Sequence, residues 1–237
     1  ITNKNPSILL EKIKEKTERQ VMKAACRKGV KMPKGSPELT RARREEIINA
    51  CEKLYEVMSF KEVTIKEISK YTSFTRPSIY NYFSTREDIF LALLQREYEA
   101  WIRYLEAVKP TSAEKTTAGF AGMLAESLST RPILLKLLAM NQFDMEEHSD
   151  VRCLAEFKSV CMAARKAVCS CLARYVPYMG IVEVEAFAYA FFPFMFGIYP
   201  YTTGTKKQAE ALELANVSAM QMSVYELVYN CAARLLK

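Results

Sequence analysis

Apolar residues recur at three- and four-residue spacing along nearly the whole chain, and the alternation expected of strands is weak. The pattern predicts an all-α protein. A basic amphipathic run spans 8–28, with Leu10, Ile13, Thr17, Val21 and Ala24 on one stripe, and 31–37 reads as a Pro- and Gly-containing linker. Ser36-Pro37 has the form of an N-cap followed by proline in the first turn. It opens a helix to about Met58, with Ile47, Cys51, Leu54 and Met58 facing inward. From Arg86 a long helix should reach about Val108 on an apolar side of Phe90, Leu94, Trp101 and Leu105. Further helices are expected from Ser112 to about Ser129, from Pro132 to Phe143, over some 25 residues ending near Pro177, over 181–200, and over 206–236. Thr205-x-x-Gln208 is a capping-box signature for the last of these.

Between the first and the long helix lies the segment with the most chemistry, 63–90. Thr64 and Glu67 have capping-box spacing, and Ile65 and Ile68 supply an inner face. Thr72-Ser73-Phe74 breaks the pattern, and Thr75 should cap a second short helix with Pro77 in its first turn. Two short helices joined by such a turn make a helix-turn-helix. A second helix of roughly eight residues, ~12 Å long, suits a major groove of about that width. Ile79 and Phe83, four apart, anchor it, leaving Arg76, Ser78, Tyr80, Asn81 and Tyr82 on the other faces. Arg and Asn read guanine and adenine edges, whereas Tyr and Ser hydroxyls bond phosphates.

Charge sharpens this picture. The chain carries a net +7, and residues 1–35 account for all of it, with 10 Lys/Arg against 3 Glu. Residues 36–90 hold 9 charges of each sign and 91–237 hold 15 of each. A basic arm favours an anionic partner; a solvated tail would look the same. Inside the balanced second segment, residues 64–86 carry Lys66, Lys70, Arg76 and Arg86 against Glu67, a local +3.

Other chemistries find little support. Seven cysteines form no Cys-x-x-Cys pair, and with one histidine, His148, they offer no recognisable metal spacing, so neither metal nor cofactor is expected. An odd count without a disulfide framework points to a reducing compartment, and the expected location is cytoplasmic. There is no glycine-rich phosphate loop and no nucleophile elbow, which argues against an enzyme. No signal-peptide pattern opens the sequence. The charge-free run 186–205 is interrupted by Pro193, Gly197 and Pro200 and reads as a buried helix, not a membrane span.

The run Pro77-Ser78-Ile79-Tyr80-Asn81-Tyr82-Phe83, followed by Arg86-Glu87-Asp88-Ile89-Phe90, resembles the DNA-binding signature of the tetracycline-repressor (TetR-like) family. The likeness covers about 40–90. It implies a three-helix DNA-binding domain over 36–90, which the basic residues 1–35 precede as an extension. Residues 91–237 would then form a helical domain for ligand binding and dimerisation. It also implies that Lys66 contacts a phosphate or base edge. Thr75, Arg76, Pro77 and Ser78 would lie at the groove-facing start of the recognition helix, Tyr80, Asn81 and Tyr82 on phosphates and bases, and Arg86 on a phosphate. Ser73 stands where the family often has Gly.

The expected protein is thus a dimeric regulator of double-stranded, palindromic operator DNA, a repressor released by a small hydrophobic effector. The alternative is a helical interaction or ligand-binding module without sequence-specific DNA binding. Trp101, Tyr104, Phe120, Met123, Met140, Phe143, Phe157 and Met195 are candidates for an apolar effector pocket, although such residues at helical spacing also make ordinary core. The stripe Leu212, Ala215, Ala219, Met222, Leu227, Cys231, Leu235 fits a dimer bundle or a single-chain core. Family members carry few residues before the first helix. Residues 1–31 therefore read either as an extension upstream of a start at Met32 or as a basic helix adding phosphate contacts.

Overall fold

A computed structural model describes residues 36–217 and 222–237, whose regular structure is helical with no strand among them. The predicted basic helix over 8–28 lies outside the described residues. The first three helices are α1 (Pro37–Val57), α2 (Ile65–Lys70) and α3 (Arg76–Ile79). After these come the long α4 (Arg86–Ala107), a single 3-10 turn (Ser112–Glu114), α5 (Thr117–Ser129) and α6 (Pro132–Met140). A π-helical turn (Asn141–Glu146) leads to α7 (Val151–Tyr175), and α8 (Ile181–Thr202), α9 (Lys206–Leu214) and α10 (Val224–Leu235) complete the chain.

Packing divides these elements into two compact units. Among the described residues, one comprises those up to Ala100 together with Met140–Ala164, and the other comprises Trp101–Ala139 and those from Arg165 onward. The first is built on Ile47, Cys51, Leu54, Ile68, Ile79, Phe83 and Phe90, all buried. Tyr55 meets Phe90 edge-on at 5.1 Å, and Phe60 lies 4.6 Å from the same ring. Asp88, 1 % exposed, is a buried carboxylate within it. Its Oδ2 accepts from the Thr85 N–H at 3.0 Å while the Thr85 hydroxyl accepts from the Asp88 N–H, a reciprocal cap on α4. Its Oδ1 accepts from the N–H of Asp150, just before α7, at 2.9 Å.

The second unit has an aromatic core. Phe120 lies edge-on to both Tyr175 (5.8 Å) and Phe187 (5.5 Å), and Phe187 stacks on Phe191 at 5.4 Å. The buried Trp101 indole N–H donates to Ser127 Oγ at 3.0 Å, and that hydroxyl donates to the Leu124 carbonyl, so both polar groups are satisfied. Two arginines serve helix C-termini, whose last carbonyls lack intrahelical partners. Arg174 donates to Leu105 O near the end of α4, and Arg131 to Ser127 O near the end of α5. Gly119 is needed where α5 leaves the 3-10 turn, because a Cβ there would sit 2.1 Å from Glu114 O.

Several boundaries depart from the sequence pattern for identifiable reasons. Ser112 does not open α5: Thr111 and Glu114 close a capping box on the 3-10 turn, and Thr116 caps α5 through the Gly119 N–H. The helix from Pro132 stops at Met140, because the chain widens into the π-turn instead of continuing to Phe143. The expected 206–236 helix is two helices. Thr205 and Gln208 do form the predicted capping box of α9. Asn216, however, turns left-handed (φ 52°), and the Val217 N–H reaches back to Leu212 O, which terminates α9. A second box, Ser223 with Glu226, then starts α10. Of the stripe proposed to run along one long helix, Leu212, Ala215 and Leu235 are exposed, Met222, Leu227 and Cys231 half-buried, and Ala219 lies outside the described residues. α8 is long and apolar enough to cross a membrane by length and composition. Pro193 and Pro200 lie inside it without breaking it, and its inward residues Val184, Phe187, Ala188, Phe191, Met195 and Ile198 are buried within the protein.

Candidate nucleic-acid interface

The local sequence explains why α2 and α3 are short. Thr64 Oγ1 accepts from the Glu67 N–H at 3.2 Å and starts α2. Glu67 does not complete the expected box; its carboxylate pairs with Lys70 at 2.7 Å, one turn on. Thr75 makes no side-chain cap and bonds instead to the Ser78 hydroxyl at 2.9 Å. α3 is a regular helix for four residues, not eight. Its winding continues: the Tyr82 and Phe83 N–H groups both bond Ile79 O, at 2.9 and 3.1 Å. Ile79 and Phe83 are buried as the spacing predicts. The turn between α2 and α3 needs no glycine, since Asn216 is the sole non-glycine residue with positive φ among the described residues. Ser73 is tied down by Glu46, which accepts from both its N–H and its hydroxyl.

The predicted contact residues fall into two groups. Lys66, Thr75, Arg76, Pro77, Tyr80 and Asn81 are exposed and Ser78 half-buried, all on α2, α3 and its continuation. An open groove runs beside them, with Lys66, Arg76 and Arg86 as its cations and Thr64, Tyr80, Ser84 and Thr85 as its hydroxyls; Glu87 also lines it. Such a surface binds a polyanion through charge and through directed O–H donors.

Tyr82 and Arg86 are turned toward the protein. The Tyr82 hydroxyl accepts from Arg43 Nη1 at 2.8 Å, its carbonyl accepts from Arg44 Nη1 at 2.7 Å, and its ring lies 5.8 Å from Phe74. Arg86 donates to Phe60 O at 3.1 Å, pairs with Glu87 at 2.7 Å and stacks over Phe60 at 4.5 Å. The expectation that Arg86 grips a phosphate meets a guanidinium already engaged with carbonyl and carboxylate oxygens; it clasps the α1–α2 connection to the start of α4.

Arg43, Arg44 and Glu46 were not singled out from the sequence. Arg44 stacks on Phe83 at 4.1 Å while holding the Tyr82 carbonyl, so α1 sets the position of the α3 continuation. Their partners lie 27 to 39 residues away, beyond the reach of local spacing. Arg96 ties α4 to α1 in the same way, through Glu52 at 2.7 Å and Asn49 at 2.5 Å.

The candidate effector residues do not share one environment. Trp101, Phe120 and Met195 are fully buried in the second unit, with Met123 and Tyr104 half-buried there, Tyr104 lying under Arg131 at 4.8 Å. Met140, Phe143 and Phe157 belong to the first unit. Phe157 is buried against Tyr98 at 6.1 Å, Met140 is half-buried, and Phe143 is 81 % exposed on the π-turn, which directs it to solvent and away from any apolar lining. Among the described residues no group of three or more His, Cys, Asp or Glu side chains is placed to hold a metal.

A tight helical pair braced by α1, with cations and hydroxyls along the outer side of its second member, defines a helix-turn-helix DNA-binding regulator. Residues 47–93 match the signature described as "Bacterial regulatory proteins, tetR family", and residues 95–236 match "Tetracyclin repressor-like, C-terminal domain". The chain belongs to the TetR family of transcriptional regulators. No curated protein sequence matches it significantly. Two solved structures share the fold at low identity, and a third resembles it more distantly. The fatty acid degradation regulator FadR of Bacillus halodurans is 14 % identical over 86 % of this chain and 96 % of its own, with a TM-score of 0.51. A TetR transcriptional regulator from Rhodococcus sp. RHA1 is 13 % identical over 83 % and 96 %, with a TM-score of 0.53. RolR, solved in complex with resorcinol, is 16 % identical over 81 % and 96 %, with a TM-score of 0.49.

Proposed function

We propose that the protein is a cytoplasmic, dimeric repressor that binds a palindromic operator and is released from it by a small hydrophobic effector. In this reading residues 36–90 read DNA, residues 91–237 carry effector binding and dimerisation, and the basic extension 1–35 adds phosphate contacts. The observation that carries the DNA reading is the groove bounded by Lys66, Arg76, Tyr80, Ser84 and Thr85, with Ser78 and Asn81 nearby on α3 and its continuation. Asn81 is assigned to a base edge, and Lys66, Arg76, Thr75, Ser78 and Tyr80 to phosphates. Pro77 shapes the start of α3, and Tyr82 and Arg86 position the reader from behind.

Dimerisation is supported by the outer face of α8. Val182, Ala186, Tyr189, Pro193, Phe196 and Pro200 follow a 4-3-4-3-4 spacing, and all are exposed. Tyr189 is 74 % and Tyr201 83 % exposed. Two tyrosines, a phenylalanine and the aliphatic groups beside them amount to ~600 Å² of uncovered apolar surface, near the ~800 Å² that each partner of a standard interface buries. A dimer would carry two recognition helices, as reading two half-sites one turn of DNA apart, about 34–36 Å, requires. The effector reading rests on the aromatic interior of the second unit around Phe120, Tyr175, Phe187 and Phe191. α4 and α7 each contribute to both units. A ligand preferring one arrangement of these helices would shift the population away from the operator-binding form.

The test is a salt series of binding to the DNA upstream of the protein's own gene, beside an Arg76→Ala/Tyr80→Ala variant. Tight, salt-sensitive binding lost in the variant supports the reading. Equal binding by both proteins would sink it.

A further inference from the structure

α9 is a helix that this subunit does not hold in place. Every residue from Thr203 to Val217 is exposed, and no side chain of α9 is buried. Both ends are nonetheless well closed, by the Thr205/Gln208 box and by the Asn216 turn that returns the Val217 N–H to Leu212 O. Isolated helices shorter than about 12–15 residues are marginal in water, and α9 has nine. Its charges make matters worse. Lys206 and Lys207 occupy the first turn and Glu213 the last, the reverse of what the helix dipole favours.

The same charge order makes the helix complementary to itself. Lys206 and Glu213 are seven residues apart, so they lie on one face two turns from each other. Ala209 and Glu210 lie between them on either side of that line; Ala209 permits close approach, and in this register Glu210 faces the partner's Ala209. An antiparallel copy would set Lys206 against the partner's Glu213 and Glu213 against the partner's Lys206, and would bring each positive end beside a helix C-terminus. This reciprocity is what a two-fold axis requires. A polyanion fits poorly, since Lys206 and Lys207 are balanced by Glu210 and Glu213. The exposed face of α8 runs through Tyr201 directly into this segment.

We infer that α9 packs antiparallel against α9 of a second copy, as an ion-paired contact additional to the α8 face. The inference rests on the dimer reading above and adds a specific register to it. In the full-length protein, Ala209→Cys places a thiol near the two-fold axis. Mild oxidation should join the two introduced thiols in a disulfide between copies, identified by peptide mass spectrometry. Adding Glu213→Lys should lower its yield at least fivefold. Mixing A209C/E213K with A209C/K206E should restore it, because opposite charges again face each other. Sedimentation velocity on the same samples separates the possible failures. A dimer without this cross-link, or with a cross-link indifferent to charge reversal, overturns the α9 contact and leaves the dimer standing. A monomer at all concentrations overturns both.

Discussion

Removing the Asp88 carboxylate should loosen two parts of the first unit at once. Its two oxygens serve different backbone donors, the Thr85 N–H at 3.0 Å and the Asp150 N–H at 2.9 Å. Asp88→Ala leaves both donors without an acceptor at half-buried positions. Hydrogen bonds to a charged group contribute about 1.5–3 kcal/mol each, so the lower end for both gives roughly 3 kcal/mol. Asp88→Asn keeps one acceptor oxygen but turns an amide N–H₂ toward the other donor, and should cost about half as much. Urea unfolding followed by circular dichroism gives the totals. Hydrogen exchange at the Thr85 and Asp150 amides shows whether both opened. The Asp150 end can be tested separately. Asp150→Pro deletes the donor, whereas Asp150→Ala retains it and loses the carboxylate bonds to Arg152 and to the Cys153 N–H. Proline should therefore speed exchange at Thr85 more than alanine does. A cost below ~1 kcal/mol for Asp88→Ala, or equal costs for alanine and asparagine, would refute the assignment of two separate bonds.

Three further outcomes follow from local geometry. Burial pushes Cys153 and Cys161 up to about 12 and Cys169 to about 11, so these thiols should label at least tenfold more slowly in the folded protein than in denaturant at pH 8; fast labelling of Cys169 would contradict this. Glu62, Glu114 and Glu226 are held below the ordinary 4.5 by bonds from Ser59, Thr111 and Ser223. Because folding depresses these pKa values, their stabilisation is complete above pH 4.5 and is lost as pH falls through the folded values. Calorimetry between pH 5 and 3 should show a shallower fall in Tm for the triple glutamine variant. Asn216→Gly should slow exchange of the Val217 amide and Asn216→Ala should speed it, since a left-handed residue with a Cβ costs about 1–2 kcal/mol where asparagine is tolerated.

Helices that bury one side were legible in the sequence because burial leaves a 3.6-residue signature. α1, α7 and α8 fall within two residues of their expected ends. Boundaries failed where a backbone cap outweighed side-chain pattern. The Leu212–Leu235 stripe is continuous at helical spacing, yet a left-handed Asn216 and a Ser223/Glu226 box split it. Apolar spacing carries no information on backbone handedness. The same limit explains Phe143: its spacing from Met140 is helical, but the intervening winding is π, and that extra width per turn swings the ring outward.

For the candidate interface, residue types were legible but their orientation was not, and the difference changes a measurable quantity. Four cations and one glutamate between 64 and 86 would allow at most four phosphate contacts per subunit. In the fold, Lys70, itself exposed, pairs with Glu67, and Arg86 is bound to Glu87 and to Phe60 O, which leaves Lys66 and Arg76 as the exposed cations without an ion pair among the described residues. Two contacts per subunit make four per dimer, and at about −0.9 per neutralised phosphate the slope of log K against log salt is roughly −4. Four per subunit would give roughly −7. The extension, with 10 Lys/Arg in 35 residues, can steepen either value. The two contributions separate when binding of the intact protein is compared with that of a variant starting at Ser36. If the shortened protein gives about −4 and the intact one a steeper slope, Lys70 and Arg86 keep their protein partners on DNA and the arm supplies the remainder. A shortened protein that still gives about −7 would mean that Lys70 and Arg86 leave their partners for phosphate. The clasp between Arg86 and the Phe60 carbonyl would then belong to the free protein alone.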